Sequence, residues 1–230
     1  MSRRPRGAPP RNGQRPIAGQ PGAMVIIISG PSGVGKDTVL RTLRERHPDP
    51  RRQFVVTYKT RPPRPGEIAG VDYNFVSVDD FLRMQVDGQL LEASQVHEHW
   101  SGTPRDQVAR ALAEGRHAIL KIDVQGADKI KQIIPDALRI FISPPSQEAR
   151  RRRLADRGTE SPEEFAQRDH DAMYEMSRVA DYDYVVVNRT GRVGQTARRI
   201  DGTIRAEETA NANRRVSLDR RVSLHRRASR

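Results

Sequence analysis

From Met24 onward, short apolar runs alternate with longer amphipathic stretches. The run "MVIIIS", residues 24–29, reads as a buried strand ending in a Gly-rich turn, and residues 36–46 as a helix stopped before Pro48. "FVVTYKT", 54–60, reads as a strand, and the "RPPRPGE" after it as a proline-stiffened loop. Residues 77–88 open on Ser77 as N-cap and close at Gly88, a helix of about ten residues. Residues 103–115 repeat that grammar: Thr103 caps, Pro104 takes the first turn, Asp106 faces back and Gly115 ends the helix. "HAILKIDVQG", 117–126, reads as a strand buried at Ala118, Ile119, Leu120, Ile122 and Val124, and "LRIFIS", 138–143, as another. A Ser161/Glu164 capping box starts a further helix, and "YDYVVVN", 182–188, is the last strong strand. Strands separated by helices imply a parallel sheet covered on both faces, an α/β fold.

The turn after the first strand carries chemistry. Gly30-Pro31-Ser32-Gly33-Val34-Gly35-Lys36 fits the phosphate-loop pattern G-x-x-x-x-G-K. Its glycines let backbone N–H groups wrap phosphate oxygens at a helix N-terminus, and Lys36 reaches the β- and γ-phosphates as a point charge. Placed between an apolar strand and a helix, the pattern makes this an α/β P-loop fold. The next position normally offers a hydroxyl to magnesium, yet holds Asp37. A carboxylate beside a triphosphate is repelled unless a cation intervenes, and magnesium prefers oxygen ligands. The expectation is that Asp37 serves magnesium, directly or through water. Thr38 supplies a hydroxyl one place later, turned roughly 100° around the helix.

Charge changes the picture less than its total suggests. The formal net charge is +12. Residues 1–23 hold five Arg and no acid; residues 211–230 hold seven Arg and one Asp. That leaves +1 for residues 24–210, so the folded part is nearly neutral. Basic tails favour polyanions without sequence preference, and aromatics are too sparse for stacking platforms, so no specific nucleic-acid partner is implied. Residues 1–23 lack apolar periodicity and should be disordered; an organellar transit peptide is the alternative, opposed by their many Pro and Gly residues. No apolar run is long enough to cross a membrane. There are no cysteines, which excludes disulfides and fits a reducing, cytoplasmic compartment. The C-terminal tail, 209–230, repeats "RRVSLD", "RRVSLH", "RRAS" and resembles sites of cyclic-AMP-dependent protein kinase at Ser217, Ser223 and Ser229, with a solvated low-complexity tail as the plainer reading.

"GPSGVGK", "TYKTRPPRPGEIAGVDYNFVS", "LLEASQ", "DVQGA", "RLADRGTE" and "YDYVVVN", in that order, closely resemble the guanylate kinase family over residues 24–208. The resemblance implies ATP-dependent phosphorylation of GMP and three parts. These are a P-loop core (24–56, 105–145, 169–208), a small mixed α/β GMP-binding lobe (57–104) and a helical lid (146–168). It implies an ATP site at Gly30 to Thr38, with Asn188 contacting adenine. Arg61, Arg64 and Tyr73 would hold the acceptor phosphate, and Thr57, Glu92 and Thr103 would surround guanine. Asp123 would lie near magnesium or the acceptor. Arg153, Arg157 and Arg168 would be lid and hinge arginines that neutralise phosphates during transfer, while most of the run Arg150–Arg153 is expected to be solvated. The residues' own chemistry agrees: Arg61 and Arg64, separated by two prolines, present guanidinium forks with little entropy to lose, and a guanine edge wants a carboxylate.

Two further positions depart from the family pattern. Its Tyr-Gly-Ser/Thr is Ser101-Gly102-Thr103 here, which removes one phosphate-binding tyrosine. A familiar Asp is Lys121, placed to pair with Asp123 or Asp37. Two other readings stay open. One is ribose-bisphosphate phosphokinase, a relative that also carries Gly-Lys-Asp in its loop; the other is a noncatalytic guanylate kinase-like interaction module. Oligomeric state is open.

Overall fold

The first apolar run feeds two cores at once. Val25 and Ile27 join one buried apolar cluster, while Met24, Ile26 and Ile28 join a second on the opposite side. That is the period-two alternation of a strand covered on both faces. The computed structural model describes residues 17–18, 20, 22–96, 98–156, 161–210, 212 and 216–218. Within them the chain runs β1 (Ile17–Ala18), β2 (Val25–Ser29), α1 (Lys36–Arg46), β3 (Arg52–Phe54), β4 (Tyr58–Lys59), β5 (Asn74–Phe75), α2 (Val78–Val86), β6 (Leu90–Val96) and β7 (His99–Pro104). It continues through α3 (Arg105–Ala113), β8 (His117–Lys121), α4 (Val124–Ile133), β9 (Leu138–Ser143), α5 (Gln147–Ala155), α6 (Pro162–Ser177), β10 (Tyr184–Val187), α7 (Val193–Ala210) and β11 (Ser217–Leu218).

The central sheet has the order β10-β9-β2-β8-β3, and every pairing in it is parallel. One face is covered from α3 and α4 by Val108, Leu112, Ala127 and Ile130. The other is covered from α1 and α7 by Val39, Leu43, Ala197, Ile200 and Ile204. A second sheet, β5-β4-β7-β6, mixes parallel and antiparallel pairs and forms the lobe beside the core. Its own apolar centre is Phe81 of α2, fully buried and stacked on Trp100 at 5.8 Å between ring centroids. A Cβ on Gly102 would stand 2.9 Å from the Phe81 ring, so the lobe closes only over a glycine there. No described helix is long and apolar enough to cross a membrane.

Three expectations change. "FVVTYKT" is two strands in two sheets, not one. β3 ends at Phe54, the chain crosses between sheets at Val55–Thr57, and β4 begins at Tyr58. Thr103 does not cap α3: it lies within β7, its hydroxyl donates to Glu92 at 2.8 Å, and Pro104 takes the cap position without a side-chain bond. The strand expected through Val124 stops at Lys121. Asp123 instead accepts from the Gly126 N–H at 2.9 Å and starts α4, so Val124 is buried from a helix. Two short pieces of the basic segments, β1 and β11, pair antiparallel, and Val216 is buried against the core. Ser217 lies in that pair, while Ser223 and Ser229 lie outside the described residues. Ser161 precedes α6 and donates to Glu163 at 2.8 Å; the side chain of Glu164 lies outside the described residues.

Because the small lobe rests on so few apolar residues, Phe81→Ala is expected to cost about 3–5 kcal/mol, measured by urea unfolding. A loss below about 1 kcal/mol would show that the lobe does not depend on this ring.

Candidate active site

The phosphate loop is held in shape by its neighbours. Gly30 has φ 142°, and a Cβ there would lie 2.2 Å from the Ile142 carbonyl oxygen, so β9 admits only glycine. Gly35, at φ 90°, turns the loop into α1. Behind the loop, the Val34 carbonyl accepts from Asn188 Nδ2 at 2.8 Å and Arg153 Nη1 at 3.2 Å. Arg153 also donates to the Asn188 carbonyl and to Thr190. Lys36 folds its ammonium onto the loop, donating to Gly30 O at 2.5 Å and Pro31 O at 3.3 Å. The loop N–H of Ser32 donates to the Glu175 carboxylate of α6 at 3.0 Å, and Arg168 donates to Ser32 Oγ at 3.4 Å. Burial raises the Glu175 carboxyl above its ordinary range, with Lys36 opposing.

Across from the loop, Arg61 forms a bidentate pair with Glu67 at 2.6 and 2.7 Å, and Glu67 also accepts from the Arg64 N–H. Tyr73, packed under the Arg61 guanidinium, donates its hydroxyl to Asp37 Oδ1 at 3.1 Å. Lys121 Nζ donates to the same oxygen at 2.5 Å and stands 3.8 Å from the Tyr73 ring centroid. Two of the three departures from the family pattern, Asp37 and Lys121, therefore meet as one ion pair. Burial alone would raise the Asp37 carboxyl, but Lys121, Lys36 and the Tyr73 hydroxyl hold it to about 2. Burial, then Asp37, pushes the Tyr73 phenol up to about 12.

Loop and lobe open onto one cavity of about 420 Å³, walled among others by Ser32, Lys36, Asp37, Arg61, Arg64 and Asp123. Beneath it lies a buried polar cluster. Glu92, 6 % exposed, accepts from Thr103 Oγ1 at 2.8 Å and Ser94 Oγ at 3.0 Å. Burial first, and then Asp123, raises its carboxyl to about 6. Thr57, 1 % exposed, has no partner for its hydroxyl among the described residues. An unpaired buried hydroxyl is costly.

A family model described as guanylate kinase matches residues 22–206. The chain belongs to the guanylate kinase family. The guanylate kinase of Mycobacterium sp. strain MCS is 47 % identical over 166 residues, covering 71 % of this chain and 83 % of that protein. That of Thermosynechococcus vestitus is 47 % identical over 169 residues, covering 74 % and 87 %. The crystal structure of guanylate kinase from Anaplasma phagocytophilum superposes with a TM-score of 0.69 at 32 % identity, covering 86 % of this chain and 92 % of that one.

The guanylate kinase frame sorts the expected residues into those that face the cavity and those that do not. Pro31 to Asp37, Arg61, Arg64, Tyr73, Asp123 and Arg168 line it. Thr57, Glu92 and Thr103 are buried beside it and are not part of its wall. Asn188 and Arg153 brace the back of the loop, Thr38 is exposed on α1, and Arg157 lies outside the described residues. In the run Arg150–Arg153, expected to be mostly solvated, Arg151 and Arg152 are exposed but Arg150 is buried and paired with Asp169, because α6 packs that carboxylate against α5. Sequence reasoning missed Glu67 and Glu175. Glu67 was legible as an acid three residues after Arg64 in a turn, whereas Glu175 carried no local signal.

Glu92 gives a signed test. Its folded carboxyl titrates near 6 and its unfolded one near 4.5, so the unfolded chain loses the proton first. Wild-type stability should therefore fall relative to Glu92→Gln as pH rises from 4.5 through 6, by about 2 kcal/mol in full. Urea unfolding at pH 4.5 and 7.5 measures it; a pH-independent difference contradicts the assignment.

Proposed function

We propose that the chain transfers the γ-phosphoryl group of ATP to GMP in this cavity, giving ADP and GDP. The observation that carries the reading is that the phosphate loop and the arginine-bearing lobe face each other across one space. The core (24–56, 105–145, 169–208) holds ATP, the lobe 57–104 holds GMP, and segment 146–168 closes over them. Ser32 N–H and Lys36 receive the donor phosphates. Arg61, Arg64 and Tyr73 receive the acceptor phosphate, while Glu92, Thr103 and Thr57 read guanine as the lobe opens from α4. Three of these groups would exchange a present partner for a nucleotide: Arg61 leaves Glu67, Tyr73 leaves Asp37 and Ser32 leaves Glu175.

No general base is needed, because a phosphate monoester has its second pKa at about 6 and attacks as the dianion at neutral pH. The residues' task is to align two anions and spread their charge, with Lys36 and Arg168 at the transferring group and Arg61 at the acceptor. Asp37 offers a half-exposed hard oxygen on the cavity wall, which fits magnesium. No cluster of three potential ligands exists among the described residues, so the ion would come with ATP, as is usual for magnesium. When bound it neutralises phosphate charge; Asp37 would hold it, or one of its waters, and Lys121 would keep that carboxylate ionised. We expect it to act in the cytoplasm, in keeping with a chain that has no cysteine.

Among the alternatives, the Glu92–Thr103 pair favours a guanine acceptor over a sugar phosphate, and an intact Lys36 favours turnover over a purely scaffolding role. Steady-state kinetics with GMP, AMP and ribose bisphosphate tests this. A buried site built to hydrogen-bond one base rejects analogues by roughly 10⁴-fold, so kcat/KM for GMP should exceed that for AMP by about that factor. Ribose bisphosphate should not turn over. Equal use of AMP, or transfer to the sugar phosphate, would overturn the assignment.

A further inference from the structure

Arg61 and Lys121 each rest on a carboxylate, but their neighbour Lys59 does not. Lys59 lies on β4 directly across from Ser101 on β7, and its Nζ donates to Ser101 Oγ at 2.8 Å. The ammonium lines the cavity beside Arg61, Arg64 and Tyr73, 5.5 Å from the Tyr73 ring centroid. Among the described residues no carboxylate pairs with it. A half-buried ammonium among other cations is costly unless an anion arrives. Position 101 is also where the acceptor cradle lacks a phenol, and a serine is too short to reach in its place.

We propose that Lys59 is a phosphate ligand of this chain, its ammonium held by Ser101 so as to bind the 5′-phosphate dianion of a nucleoside monophosphate alongside Arg61. This rests on the guanylate reading above and adds to it a residue and a charge. A phenol supplies only a hydrogen bond, whereas an ammonium also supplies a full positive charge that titrates. Burial lowers the Lys59 amine to about 8; Asp123 and Glu92 oppose that, while Arg61 and Lys121 reinforce it. Tyr73, which stays protonated in this range, and Arg64 and His99 also line the cavity with it. Affinity for the monophosphate should therefore fall as pH rises through about 8, a loss that an arginine at 59 would not show.

Isothermal titration of the full chain with GMP, and with guanosine as a probe lacking the phosphate, tests the proposal. Lys59→Met is expected to weaken GMP by about 10- to 100-fold and to leave guanosine unchanged. Lys59→Arg should keep GMP affinity within a few fold and abolish its decline between pH 7 and 9. The double variant Lys59→Thr, Ser101→Tyr should restore affinity without that decline. Thermal unfolding of Lys59→Met should occur no lower than in wild type, since the change keeps the length of the side chain and removes a poorly solvated charge. Equal loss of GMP and guanosine would mean that Lys59 merely braces β4 on β7, and unchanged GMP affinity would mean that it does not touch the phosphate. Either result overturns the proposal alone. Wild-type protein that binds no GMP would overturn the guanylate reading and this inference together.

Discussion

Positive charge must stand ready in a phosphoryl-transfer cavity before any phosphate arrives, and a desolvated cation without a partner is costly. Most of the arrangement around this cavity answers that constraint. Lys36 rests on the carbonyls of its own loop, Arg61 on Glu67, and Lys121 on Asp37. The complementary groups are occupied too: the Ser32 N–H carries the Glu175 carboxylate, and the Tyr73 hydroxyl carries Asp37. At Ser32, Lys36 and Arg61 the nucleotides would therefore exchange with internal partners; Lys59, held only by the Ser101 hydroxyl, is the exception. That limits both the cost of folding the empty protein and the net gain on binding.

The same constraint accounts for the chain's unusual residues. An acid after the loop lysine would repel a triphosphate if it stood alone. Here Lys121 takes the position of a familiar acid at the end of β8, and the pair keeps the site's charge balanced. Because Tyr73 joins that pair from the neighbouring lobe, the phosphate loop and that lobe are linked through a single carboxylate oxygen. Ser101 and Lys59 form a second matched pair on facing strands.

Much of this was legible in the sequence because the loop and the arginine turn are local. Gly30 to Lys36 sits between a run that alternates into two cores and a helix with the expected bounds, and that placement fixes its shape. Arg61, Arg64 and Tyr73 reach one cavity wall, and Glu67 ties Arg61 to the Arg64 N–H within the turn. What the sequence hid is non-local. Apolar alternation cannot show that "FVVTYKT" changes sheets after Phe54, since both halves look like strand. Asp123 looks like the end of a strand until its carboxylate is seen to cap α4. Glu175 reaches the loop from 143 positions away, and Arg150 is buried only because Asp169 comes from another helix.

A crystal structure with one ligand that joins adenosine and guanosine through five phosphates tests the central exchange most directly. The account predicts phosphate oxygens on the Ser32 N–H and Lys36, Arg61 turned from Glu67 to phosphate, and guanine against Glu92 and Thr103. A bound ligand with Glu175 still on Ser32, Arg61 still on Glu67 and guanine away from Glu92 would contradict it.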